Sequence, residues 1–164
     1  VYTVRLTRVP EDGAAKETDV RLSLDDLALG APFDAAGVRL SWELTRMMGK
    51  VYGKVRAGSG LTLTCSRCLK DFASSVETDF AVLFEPRPRV ERGAQDRGGV
   101  VDLDDDAGPS VVFFDGEELP LGEEVRQELE LAVPFHSLCR ERCAGLCARC
   151  GADLNEGACA CPDP

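Results

Sequence analysis

The chain has 164 residues, 44% of them hydrophobic, enough for one buried core and too apolar for a wholly disordered chain. Its formal charge of -10 is unevenly placed: residues 1–70 carry 11 Lys and Arg against 8 Asp and Glu, whereas residues 71–164 carry 8 against 21. That sign is opposite to the usual sign of a duplex-wrapping protein, and it favours solubility or the docking of a basic partner.

Val1 to Val9 alternates as a first strand, closed by Pro10 and the polar turn Glu11-Asp12-Gly13. The start lacks a basic region followed by an apolar run, and no stretch approaches about 18 apolar residues. Neither a signal peptide nor a membrane-spanning helix is therefore expected, and the expected location is cytoplasmic.

Thr18 to Leu24 alternates again, and 25–32 reads as a turn or a short helical connection. Leu40, Trp42 and Leu44 place one buried face on a strand over 38–48. Lys50 to Ala57 is predicted to form a strand, Gly58-Ser59-Gly60 a tight turn, and Leu61 to Thr64 the return strand of a hairpin ending at Cys65. Phe72 to Phe84 is a long strand with Val76, Phe80, Val82 and Phe84 on one face. Residues 85–109 hold prolines, glycines and the run Asp104-Asp105-Asp106, and read as a mobile acidic loop with a weak strand around Val100 and Val101.

Val111 to Phe114 is a short strand. Leu121 to Val133 is a helix, with Leu121, Val125, Leu129 and Ala132 on a packed stripe and Glu123 and Glu124 near its N-terminus. The expected architecture is α+β: an antiparallel, strongly curved β-sheet or partial barrel, one packed helix, and a C-terminal cysteine-rich metal-binding segment. Residues 1–138 form the β-rich core, with the helix near 121–133 and the acidic loop near 85–109. Residues 139–164 form the cysteine-rich extension.

Eight cysteines are many for this length, and six of them lie between Cys139 and Cys161. Without an export signal, shared metal ligation explains them better than disulfides. In Cys147-Ala148-Arg149-Cys150-Gly151, two residues between thiols let a tight turn aim both sulfurs at one ion. Cys159 and Cys161 are the preferred completion of a tetrahedral zinc site. Cys139 and Cys143, four apart, are the alternative ligands. Cys65-Ser66-Arg67-Cys68 is a second CxxC and marks a possible second metal site shared with C-terminal cysteines; free thiols with a packing role are the other reading. A redox pair is disfavoured, because thioredoxin-type sites need a βαβ context. All-thiolate zinc sites are closed, which points to a structural ion. His136, the lone histidine, is read as an ordinary surface side chain.

No phosphate-binding glycine loop, nucleophile elbow or zinc-protease helix is present, so an enzyme is not expected. Nucleic-acid contact would have to use the basic residues of the first half, with Lys54, Arg56, Arg67 and Lys70 as the candidates. Lys54 and Arg56 share one face of their strand, opposite Val51, Gly53 and Val55.

Gly53-Lys54-Val55, the run Leu61–Leu69, Leu131-Ala132-Val133-Pro134, Cys139, Cys143–Cys147, Cys150-Gly151, Leu154-Asn155 and Cys159-Ala160-Cys161 together resemble the bacterial YceD family, the large ribosomal RNA subunit accumulation proteins. The resemblance implies a ribosome-biogenesis factor linked to accumulation of 23S ribosomal RNA, with the cysteine pairs as metal ligands and no catalytic residue. It implies large-subunit ribosomal RNA or a basic ribosomal protein as partner, and no membrane or small-molecule substrate. The alternative expectation is a zinc-stapled adaptor that binds a basic protein without touching RNA.

Overall fold

A computed structural model describes residues 1–87 and 109–161. Its main sheet contains β2 (Ala14–Leu22), β3 (Phe33–Met47), β4 (Lys50–Thr64), β5 (Asp71–Pro86) and β6 (Ser110–Phe114), in that spatial order. A two-stranded antiparallel sheet pairs β1 (Val4–Arg5) with β7 (Glu118–Leu119). The helices are α1 (Leu24–Leu27) and α2 (Leu121–Ala132).

The class is α+β with one major helix, but the expected antiparallel, strongly curved sheet or partial barrel is wrong. The five-stranded sheet is open, because β2 and β6 end the order and do not pair with each other. It is also mixed, since β6 runs parallel to β5, with Leu83 opposite Val111 and Glu85 opposite Phe113. Hairpin turns force antiparallel neighbours, whereas a long connection lets the chain return in the same direction. The connection from Pro86 to Ser110 is of that length. The acidic loop expected over 85–109 begins later than that, because Glu85 and Pro86 belong to β5; its residues 88–108, with the weak strand at Val100 and Val101, lie outside the described residues.

The hairpin expected at Gly58-Ser59-Gly60 lies elsewhere. β4 runs unbroken through these residues and pairs with β5, Gly58 opposite Glu77 and Gly60 opposite Ser75. Buried Ser59 donates from Oγ to the Gly37 carbonyl at 3.0 Å. The β3–β4 turn is Met48-Gly49, with φ of 51° and 77° between the paired residues Met47 and Lys50. Positive φ at both central residues is the signature of a two-residue type I′ hairpin. The first strand is also shorter than Val1–Val9: after β1 the chain makes a 3-10 turn over Leu6–Arg8.

One face of the main sheet carries the core. Leu40, Trp42 and Leu44 of β3, Val51, Val55 and Leu61 of β4, and Val82 and Phe84 of β5 are buried together. Leu121, Val125 and Leu129 of α2 pack onto it, each fully buried, while Ala132 lies outside the stripe. Trp42 Nε1 donates to the Tyr2 hydroxyl at 3.2 Å, which satisfies the indole where it meets the N-terminal segment. At the far end of β4, Cys65, Cys68 and Cys143 form a separate buried cluster against Phe72 and Leu146. Among the described residues, no helix is long and apolar enough to cross a membrane.

Candidate metal centres

The two CxxC segments fold into the same turn. At the β4–β5 connection the Cys65 amide donates to the Lys70 carbonyl and the Leu69 amide to the Cys65 carbonyl, each at 2.9 Å. At the second, the Cys147 amide donates to the Ala152 carbonyl at 2.8 Å and the Gly151 amide to the Cys147 carbonyl at 2.9 Å. Leu69 adopts φ of 59° where Gly151 adopts 71°. The left-handed residue after the second cysteine turns the chain back, so both sulfurs point into one space.

These turns organise two clusters of four thiols, and within each cluster all sulfurs lie within 4.8 Å of one another. The first joins Cys65 and Cys68 to Cys139 and Cys143, and the second joins Cys147, Cys150, Cys159 and Cys161. Cys139 and Cys143 therefore lie with the β4–β5 turn and not with Cys147 and Cys150. The sulfur separations include 3.7 Å for Cys65–Cys143, 3.7 Å for Cys68–Cys139 and 3.4 Å for Cys147–Cys159. A tetrahedral zinc with bonds of about 2.3 Å has sulfur–sulfur edges of about 3.8 Å, whereas a disulfide needs about 2.05 Å. The donor set fits a tetrahedral ion, and every sulfur is accounted for.

Electrostatics divide the thiols of each cluster, favouring thiolate at some and the protonated form at others. The Cys65 thiol is lowered to about 6, chiefly by the backbone amides of Cys139 and Cys68. Cys147 is also lowered to about 6, by the amides of Cys150 and Arg149. Amides aimed at sulfur favour thiolate. Loss of solvent pushes Cys139 up to about 12, and the hydrogen bond with Cys150 pushes Cys161 up to about 11. Several thiolates cannot gather in one small space without a shared positive charge, and a divalent ion would supply it.

The first cluster fastens the C-terminal segment to the sheet, and polar contacts reinforce it. The Ser66 amide donates to the Ser137 carbonyl at 2.8 Å, and Ser137 Oγ donates to the Thr64 carbonyl at 3.0 Å. Arg67 donates to the Cys143 carbonyl at 3.0 Å, while its own carbonyl accepts from the Leu146 amide at 3.1 Å. Lys70 Nζ lies 2.7 Å from an Asp153 carboxylate oxygen and 2.6 Å from Glu156. These carboxylates raise the Lys70 pKa, and Lys70 holds Asp153 down to about 2.

The four basic candidates do not form one patch. Lys54 and Arg56 lie mid-strand on the exposed side of β4, and Arg67 and Lys70 lie in the turn beyond its end. From Lys54 to Thr64 an extended strand covers roughly 33 Å. Arg56 is bound to Asp79 at 2.7 Å, and Lys54 has no ion-pair partner among the described residues. His136 is exposed and outside both clusters. Sequence reasoning did not identify Asn155, which contacts the first cluster from within the loop of the second. Its only signal was its place beside Leu154 in the motif between Cys150 and Cys159.

A family model described as large ribosomal RNA subunit accumulation protein YceD matches residues 53–164, a span that contains all eight cysteines. Two relatives carry the name large ribosomal RNA subunit accumulation protein YCED homolog 1, chloroplastic. The one from Zea mays is 26% identical over 87% of this chain and 57% of its own length. The one from Arabidopsis thaliana is 24% identical over 78% of this chain and 44% of its own length. The chain thus spans about half the length of these relatives. No solved structure matches it. The family's description is that of an accumulation factor and not of a catalyst. On the strength of that match, which covers most of the chain, this protein belongs to the YceD family of large ribosomal RNA subunit accumulation proteins.

Proposed function

We propose that this protein is a non-enzymatic, zinc-stapled factor of the cytoplasm that supports accumulation or processing of 23S ribosomal RNA during biogenesis of the large ribosomal subunit. The family match across residues 53–164 carries this reading. Zinc is the ion that suits two all-sulfur tetrahedral sites, one at Cys65, Cys68, Cys139 and Cys143 and the other at Cys147, Cys150, Cys159 and Cys161. Four thiolates fill such an ion's coordination sphere and leave no position for a reactive water. The metal then shapes a binding surface.

Direct RNA contact would use Lys54 and Arg56 on the exposed side of β4. A second reading, in which the partner is a basic ribosomal protein, is favoured by the commitment of Arg67 and Lys70 to internal contacts. A closed four-thiolate zinc site also carries two negative charges, so loading both deepens the formal -10. Binding of zinc-loaded protein to 23S RNA fragments over a salt series separates the readings. Direct contact gives affinity that falls with salt, and Lys54→Ala lowers the slope by about 1. No salt-dependent binding, together with retention of a basic ribosomal protein in a pull-down, establishes the adaptor and removes direct RNA contact.

A further inference from the structure

The loop between Cys150 and Cys159 belongs to the second cluster, yet its polar groups reach the first. Asn155 Nδ2 donates to Cys143 Sγ at 3.5 Å. Its Oδ1 accepts from the Ala144 amide at 2.8 Å and from the Arg140 guanidinium. Asn155 is thus bound to three residues, Arg140, Cys143 and Ala144, of the segment that supplies Cys139 and Cys143. On the other side of the loop, Asp153 and Glu156 hold Lys70, two residues after Cys68. Asp153 Oδ1 also accepts from the Asn155 amide at 2.8 Å and from Nδ2 at 2.6 Å, so the two contacts form one network. The Leu154 amide donates to the Gly145 carbonyl at 2.9 Å, between the two ligand sets.

The chemistry gives this network a direction. An amide N–H bonded to a metal-bound thiolate stabilises the charge on sulfur, and partners of this kind change metal affinity by about 10- to 100-fold. The loop bearing Asn155 is closed into a ring when Cys147, Cys150, Cys159 and Cys161 share an ion. Filling the second cluster therefore presents Asn155 to Cys143 already ordered. Filling the first anchors Cys143, Arg140 and Lys70, which orders the loop.

We infer that the two thiolate clusters bind metal as one cooperative unit, with Asn155 as the positioning residue that couples them. The coupling is reciprocal, because each cluster must favour the other by the same factor. It stands apart from the ribosomal reading and requires only the two metal sites.

Cadmium NMR of the reduced full chain tests it, since each four-sulfur site gives its own resonance. In the wild type the two resonances are expected to grow together from the first addition. In Asn155→Asp, which keeps the oxygen acceptor and loses the N–H donor, one is expected to fill before the other. Disabling the second cluster with Cys159→Ser and Cys161→Ser should weaken cadmium at the first by roughly 10-fold. Adding Asn155→Asp to that background should cost little more, because the two changes remove the same coupling. Sequential filling in the wild type, or parallel filling that Asn155→Asp leaves unchanged, overturns the proposal. So does unchanged first-cluster affinity when the second is disabled, or failure of the chain to bind metal.

Discussion

Cys65 Sγ and Cys143 Sγ lie 3.7 Å apart although the β4–β5 turn and the segment beyond α2 are far apart in sequence. An ion between them would close a long loop, and its binding energy would become folding energy for residues that lack a large core of their own. The sheet has such a core, and the thiol cluster is separate from it. Metal removal is therefore expected to loosen residues 139–161 and leave the sheet folded. Hydrogen exchange checks this: the Leu146, Cys147 and Leu154 amides should lose protection on chelation, and those of Val55 and Val82 should not. Equal loss throughout would mean that the sheet depends on the metal as well.

The ligand sets lead to a stoichiometry. Protein purified without added zinc is expected to hold two metal equivalents, one per cluster. Cys65→Ser should abolish the first site and Cys150→Ser the second, each reducing the content by about one equivalent when the remaining sulfurs hold no ion tightly. Elemental analysis with thiol titration reads this directly. A protein with no bound metal and eight titratable thiols would refute both centres.

Part of this arrangement can be read from sequence and part cannot, for physical reasons. Leu40, Trp42 and Leu44 betray β3 because a sheet with one buried face imposes a period of two. Leu121, Val125 and Leu129 betray α2 through helical spacing. Gly58-Ser59-Gly60 misleads because glycine serves close approach as well as turns. A side chain at Gly60 would collide with the Asp34 carboxylate, and one at Gly58 would press on Glu77 at 3.2 Å. The parallel course of β6 leaves no mark on alternation, since both directions bury the same face. Cysteine spacing encodes the local turns at Cys65 and Cys147, but the union of Cys65 and Cys68 with Cys139 and Cys143 depends on where α2 delivers the chain. Lys70 reads as a free cation until the fold sets it against Asp153 and Glu156.

The packing of α2 separates two leucines that composition treats alike. Leu129 is fully buried and Leu131 is 78% exposed. Leu129→Ala should destabilise the folded chain by about 2–5 kcal/mol, through lost transfer energy and the cavity left behind. Leu131→Ala should stay within about 0.5 kcal/mol of the wild type. Chemical denaturation followed by far-ultraviolet circular dichroism distinguishes them, and similar losses for both would contradict the face assigned to α2.

The first turn of the same helix carries a pH dependence. Glu123 accepts hydrogen bonds from Arg126 at 2.6 Å and 3.1 Å and from Gln127 at 2.9 Å. Those contacts, Arg126 first, hold its carboxyl down to about 2 against an ordinary 4.5. A carboxyl that is more acidic folded than unfolded stabilises the fold above its unfolded pKa. That contribution is lost as pH falls from about 4.5 toward 2. The group is partly exposed, so solvent screening limits it to about 0.5 kcal/mol at neutral pH. Glu123→Gln should therefore be slightly less stable than the wild type at pH 7, by an amount that shrinks as the pH falls through about 4.5 toward 2. Acid release of metal occurs in both proteins and cancels in the difference. Urea denaturation of the pair across that range checks the sign, and a difference that grows as the pH falls would show that Glu123 is not held by Arg126.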